Sequence, residues 1–132
     1  MKKRYLLDSN IVIDHISGYR QLPEKVAKSD AMLFSQVAIA EVKTGFDDTN
    51  RGRRNRAALD DFLRLSNVVE ITITPATTDL YAKVFRSLRA AGTPIPVNDI
   101  WLAAQALEHG AVVVSRDRHF DAVANLLTMI VE

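Results

Sequence analysis

The chain has no cysteine among its 132 residues. Disulfides and thiolate metal sites are therefore excluded, and a reducing, cytoplasmic setting is expected. It has no internal repeat, no low-complexity tract and no Gly/Ser-rich linker, so a single domain over residues 1–132 is expected. Long hydrophobic runs are absent too. The opening stretch MKKRYLLDSN has a basic head but only the apolar Tyr5, Leu6 and Leu7 before Asp8, too little for a signal-peptide core or a membrane span. Charge of one sign is not in excess: 17 basic and 16 acidic residues leave a net +1, far from a dedicated nucleic-acid coat. The three histidines, His15, His109 and His119, fall in no HxxxH or HxH spacing, and each reads as a surface or helix-end residue rather than a ligand.

What is present is an ordinary globular composition, 48% hydrophobic and 25% charged, in an alternating pattern of strands and helices. Tyr5–Leu7 reads as the first strand and Ile11–Ile16 as a helix stopped by Gly18. A short helix over Leu22–Lys28 and a strand over Ala31–Phe34 follow. Ser35 is a good N-cap for a helix to about Thr44, with Ile39, Val42 and Phe46 on one face. Ala57–Leu65 reads as an amphipathic helix and Val68–Ile73 as the third strand. Thr77–Ala91 carries the stripe Leu80, Val84 and Leu88, widened by Tyr81 and Phe85, and stops at Gly92. Asn98–His109 closes at Gly110. Ala111–Val114 is a continuous apolar run, as in a strand buried on both faces. Phe120–Asn125 reads as a short helix and Leu127–Val131 as the last strand. Strands separated by helices imply a mostly parallel sheet.

Ligands of an open parallel sheet bind outside the carboxyl ends of its strands. Asp8 ends the first strand, and Asp117 follows three residues after Val114. Asp99 lies in the first turn of its helix, where the dipole favours an anion. Glu41 lies about two turns into the helix after the second strand, with small Ala38 and Gly45 on its face. Taken singly, Asp8 and Asp117 read as turn residues, Asp99 as an N-terminal charge and Glu41 as a solvated position. Together they point to one edge of the sheet. Two carboxylates about 5 Å apart at an effective dielectric of about 20 repel by about 3 kcal/mol. Such a group must take up protons or cations, and hard oxygen donors select Mg²⁺ or Mn²⁺ over zinc.

Four stretches, LLDSNIVID, SQVAIAEVKTGF, VNDIWLAAQAL and VVSRDRHFD, resemble the successive motifs of the PIN-domain ribonucleases, most of all the VapC-type toxins of bacterial toxin–antitoxin pairs. The resemblance covers essentially the whole chain. It implies a three-layer α/β/α sandwich around a parallel sheet and Mg²⁺- or Mn²⁺-dependent cleavage of RNA by Asp8, Glu41, Asp99 and Asp117. Products would carry a 5′-phosphate and a 3′-hydroxyl. It also implies a homodimer and inhibition by a cognate VapB-type antitoxin. Ser9, Asn10 and Ser115 fall where the family has small polar residues supporting the site, with local backbone capping as their other reading. Asp121 reads either as a water-mediated contact or as the cap of the short helix, and Asp14 as structural.

In NRGRRNR, Arg51, Arg53, Arg54 and Arg56 fall within six positions, suited to RNA phosphates or simply to a soluble helix start. The Leu80/Tyr81/Val84/Phe85/Leu88 surface reads as core packing, with a dimer or antitoxin contact as its alternative. Three rival functions remain. A haloacid-dehalogenase phosphatase needs a second Asp where Asn10 stands. A receiver domain needs paired acids after the first strand and a Lys ending the last, absent at Ile130–Glu132. A non-catalytic RNA- or protein-binding domain is the third.

Overall fold

Consecutive apolar residues along three strands require cover on both sides of a sheet, and the computed structural model of the chain shows that arrangement. It describes residues 3–132; Met1 and Lys2, the basic head noted above, lie outside them. Five strands, β1 (Arg4–Leu7), β2 (Ala31–Ser35), β3 (Val68–Ile71), β4 (Val112–Ser115) and β5 (Thr128–Ile130), form one sheet in the order β3-β2-β1-β4-β5. Every pairing is parallel, so the sheet is wholly rather than mostly parallel. Tyr5 to Leu7, Met32 to Phe34 and Val113 to Val114 are all buried, whichever face they point to. Helices α1 (Ser9–Ile16), α2 (Glu24–Ala27), α3 (Gln36–Lys43), α4 (Asn50–Leu63), α5 (Pro75–Ala91) and α6 (Val97–His109) supply the connections, and a 3₁₀ turn spans Arg118–Ala122. No helix among the described residues is long and apolar enough to cross a membrane.

Chain direction across the sheet reverses once. β1 leads to β2 and then β3 on one side, after which α5 and α6 carry the chain back past both to β4. The reversal falls between β1 and β4, whose ends register as Leu7 against Val114. With right-handed crossovers, this is where a crevice opens at the carboxyl edge.

Several boundaries differ from expectation, each for a local reason. α4 starts at Asn50, seven residues before the predicted start, because Thr49 caps it by accepting the Gly52 N–H at 3.0 Å. The charged arginine run hides this start, since it has no apolar period. α5 begins at Pro75, behind a reciprocal cap between Thr74 and Thr77. The helix expected over Phe120–Asn125 is instead the 3₁₀ turn Arg118–Ala122, capped by Asp117 and not by Asp121. Gly92 and Gly110 end α5 and α6 with φ of 70° and 61°, as left-handed caps require.

Candidate active site

Asp8 leaves β1 and caps α1, so its carboxylate is held at the opening beside the β1/β4 reversal. Its Oδ1 accepts the Ser9 N–H at 2.8 Å. Its Oδ2 accepts the Ser115 hydroxyl at 2.6 Å and the Asn10 amide at 3.3 Å. Ser115 Oγ in turn accepts the Asp117 N–H at 2.9 Å, so one buried hydroxyl ties the ends of β1 and β4 together. Asn10 Oδ1 accepts the Arg116 N–H at 3.2 Å. Asn10, standing where a dehalogenase needs its second acid, is thus a donor to the first.

The other acids reach the same place from three elements. Asp99, in the first turn of α6, and Asp117, just past the end of β4, flank His119: its Nδ1 hydrogen-bonds Asp99 Oδ2 and lies as near Asp117 Oδ2, each at 3.0 Å. Asp99, Asp117 and His119 offer ligand atoms that all lie within 4.8 Å of one another. Glu41 projects from α3, and its Oε2 accepts the Asn98 amide at 2.7 Å. Glu41 Oε1 is buried with no hydrogen-bond partner among the described residues.

Electrostatics follow from this crowding. Burial pushes the Asp8 carboxyl above its ordinary range, helped by the charge of Asp117 and opposed by the Ser115 and Ser9 bonds. Asp99 is raised by burial and by Asp8 and Asp117, against the pull of His119. Glu41 is raised by burial and by Asp8 and Asp99, against its bond from Asn98. His119 is raised in turn, first by its bond to Asp99 and then by the charges of Asp117, Asp99 and Asp8. Asp99 and Glu41 each feel two other acids and Asp8 feels one, so these three prefer protons or a cation to bare charge.

The structure brings Asp8, Glu41, Asp99 and Asp117 together and sets Ser9, Asn10 and Ser115 against them. It turns Asp121 away, with its carboxylate paired to Arg118 at 3.5 Å and accepting from Thr128 at 3.2 Å. Asp14 pairs with Arg116 at 3.1 Å. Two site residues escape the sequence reading. His119 is exposed, as expected of a surface residue, yet its ring bonds Asp99 and lies beside Asp117, and Asp-x-His within VVSRDRHFD is the local sign of it. Asn98, directly before Asp99, is the partner of Glu41, and nothing local marks that pairing. The arginine group lies apart on α4.

An acidic pocket at the reversal of an all-parallel sheet is common to many chemistries, and comparison with known proteins narrows it. The PIN domain model matches residues 5–126. Ribonuclease VapC2 of Haemophilus influenzae is 31% identical over 134 residues, covering 95% of this chain and 96% of that protein. Ribonuclease VapC2 of Rickettsia felis is 26% identical over 128 residues, covering 93% and 94%. The crystal structure of VapBC2 from Rickettsia felis, bound to a DNA fragment from their promoter, superposes with a TM-score of 0.83. It shares 25% identity and covers 96% of this chain and 98% of that one. The chain thus belongs to the PIN-domain family and, within it, to the VapC ribonuclease toxins of VapBC toxin–antitoxin systems.

Proposed function

We propose that residues 1–132 act as one cation-dependent endoribonuclease domain, with Asp8, Asp99 and Asp117 holding Mg²⁺ or Mn²⁺. Glu41 reaches the ion directly or through a bound water. The observation that carries this reading is Glu41, whose Oε1 is buried with no partner in hydrogen-bond geometry among the described residues. Its carboxyl is pushed up by burial and by Asp8 and Asp99, in spite of the Asn98 and Ser9 groups beside it. A buried ionised oxygen left unpaired is costly, and a cation removes that cost. The oxygen-rich donor set suits Mg²⁺ or Mn²⁺.

Held by Asp8, Asp99, Asp117 and Glu41, Mg²⁺ or Mn²⁺ would supply activation of water and neutralisation of charge at the scissile phosphate. The remaining tasks fall to the chain. Ser115 and the Ser9 amide hold Asp8 in one rotamer and favour its ionised form. His119 keeps Asp99 and Asp117 side by side, and Asn98 orients Glu41. The arginines of α4 supply charge for the RNA backbone. Fragments with a 5′-phosphate and a 3′-hydroxyl are expected.

The Rickettsia felis relative was crystallised as a VapBC complex, and we assign this chain a VapB-type antitoxin and a homodimeric state. Phe85, 41% exposed on α5 and stacked on Tyr81, is apolar surface suited to such contacts. Its action belongs in the cytoplasm, where its RNA lies.

The test is cleavage of a structured RNA by metal-stripped protein, with Mg²⁺ or Mn²⁺ then restored. Activity that vanishes in excess EDTA and returns with either ion is the expected result. RNA binding without cleavage under all these conditions would instead mark a non-catalytic domain.

A further inference from the structure

Four arginines crowd the start of α4, and the structure divides them into two kinds. Arg53 is taken up by its own corner: Nη1 donates to the Asp48 carbonyl and Nη2 to Asn50 Oδ1, both at 2.6 Å. Arg56 lies over the ring of Phe46 at 5.3 Å. Arg51 and Arg54 are exposed and enter no ion pair among the described residues. With Ile16, Ser17 and Asn55 they line a cleft of about 410 Å³ between the end of α1 and the start of α4.

The corner beneath this cleft is stiff. Asp47 Oδ1 accepts both the N–H and the hydroxyl of Thr49, and Thr49 caps α4. Gly52 lies so close that a Cβ there would collide with the Asp47 carbonyl and carboxylate. The Asp47 carboxylate feels the charge of Arg51 but is already engaged by Thr49. A basic residue in a first helical turn opposes the helix dipole, and α4 has no acid there to compensate. Arg51 gains only the attraction of the Asp47 carboxylate in that place.

Arg116 and Arg118, next to the acids in sequence, are paired with Asp14 and with Asp121 and Glu132, whereas Arg51 and Arg54 offer two guanidinium groups in one cleft. The cleft lies one helix away, since the eight residues of α1 span about 12 Å from its Asp8 end. Its neutral lining also suits RNA. Ser17 Oγ already donates to the Asp14 carbonyl at 3.2 Å and keeps lone pairs to accept a ribose hydroxyl.

We infer that this cleft is a phosphate subsite for the RNA substrate, in which the Arg51 and Arg54 forks grip backbone flanking the scissile bond and Ser17 and Asn55 contact the adjoining sugar. The inference rests on the nuclease reading above and names where that enzyme holds its substrate.

The test separates grip from cleavage by measuring binding of a labelled single-stranded RNA to Asp99→Asn protein in EDTA across a salt series. Arg51→Gln/Arg54→Gln should flatten the slope of log affinity against log salt by about 1.4, at about 0.7 per phosphate contact. Arg51→Lys/Arg54→Lys should retain the slope, and Arg86→Gln/Arg89→Gln, on α5, should leave slope and affinity unchanged. Thermal melts establish that each variant is folded. An unchanged slope in the Gln pair overturns the inference. So does weaker binding of a poly-glutamate peptide with the RNA slope intact, which would hand the cleft to a protein carboxylate. The nuclease reading fails separately, if wild-type protein cleaves nothing with Mn²⁺, and that failure leaves the salt slope where it was.

Discussion

The acids at the carboxyl ends of β1 and β4 and the arginines at the start of α4 are both crowds of like charge, yet the molecule holds them in opposite ways. Asp8 and Asp99 are 4% and 6% exposed and fixed by hydrogen bonds from Ser115, Ser9 and His119. Arg51 and Arg54 stand in solvent on a helix whose corner is rigid, and their guanidinium groups enter no ion pair among the described residues. Burial makes a carboxylate responsive, because low dielectric strengthens each neighbouring charge and leaves the group seeking a proton or a metal. Exposure leaves an arginine permanently charged and weakened by salt. The function proposed above gives reactive chemistry to the first arrangement and substrate grip to the second.

The sharpest way to break this contrast is Asp99→Asn. Loss of one charged ligand removes several kcal/mol of stabilisation in the transition state, so cleavage should fall by about a thousandfold or more. Folding should be retained, and RNA binding in EDTA should hold or improve as a negative charge disappears. Activity near wild type would show that the acids are a structural crowd.

Ser115→Ala comes next. It deletes the hydroxyl that donates to Asp8 and accepts from the Asp117 amide, at a cost of about 2 kcal/mol for a buried bond to a charged group. Chemical denaturation should show that loss together with reduced cleavage, while the salt dependence of RNA binding stays put. Gly52→Ala tests the opposite region. The added methyl meets Asp47 backbone and should destabilise the α3–α4 corner by about 1–2 kcal/mol. RNA affinity should drop and the melting shift caused by Mn²⁺ should not.

The smallest effect is one of pH. Asp8, Glu41 and Asp99 have raised affinities for protons in the fold, and so does His119. At these four groups the folded state therefore binds more protons than the unfolded chain, whereas Asp47, Glu108 and His15 shift the other way and lie outside the cluster. The carboxyl contribution is fully present below the unfolded range near about pH 4 and is lost as pH rises through the raised folded values. The His119 contribution is full below about pH 6.5 and is lost above it. Metal-free protein should lose stability as pH climbs from acid to neutral, and Mg²⁺ or Mn²⁺ should raise its melting temperature more at neutral pH than at acid pH. A melting curve insensitive to both would deny the cluster its strain. The arginine variants should leave this pH dependence unaltered.

Much of this was readable in the chain, and the gaps have common causes. Tyr5–Leu7, Met32–Phe34 and Val112–Val114 announce strands buried on both faces, because unbroken apolar runs with acids at their ends are local signals. Ser35 and Gly110 mark helix ends for the same reason. The start of α4 was missed because its capping rests on Thr49 and its stability on a fold-back against Asp47, neither of which leaves an apolar period. His119 is the surface residue its sequence context implies, but its bond to Asp99, twenty residues away in sequence, depends on packing.

The sequence by itself determined the alternation of strands and helices and the acids that end them, since hydrophobic period, caps and strand termini are properties of neighbouring residues. Tertiary structure alone decided that β1 lies beside β4, that Ser115 reaches Asp8 across 107 positions, that Asn98 meets Glu41, and that Arg51 and Arg54 share one cleft. Those outcomes depend on distances through space between remote segments, and packing, not local pattern, sets them.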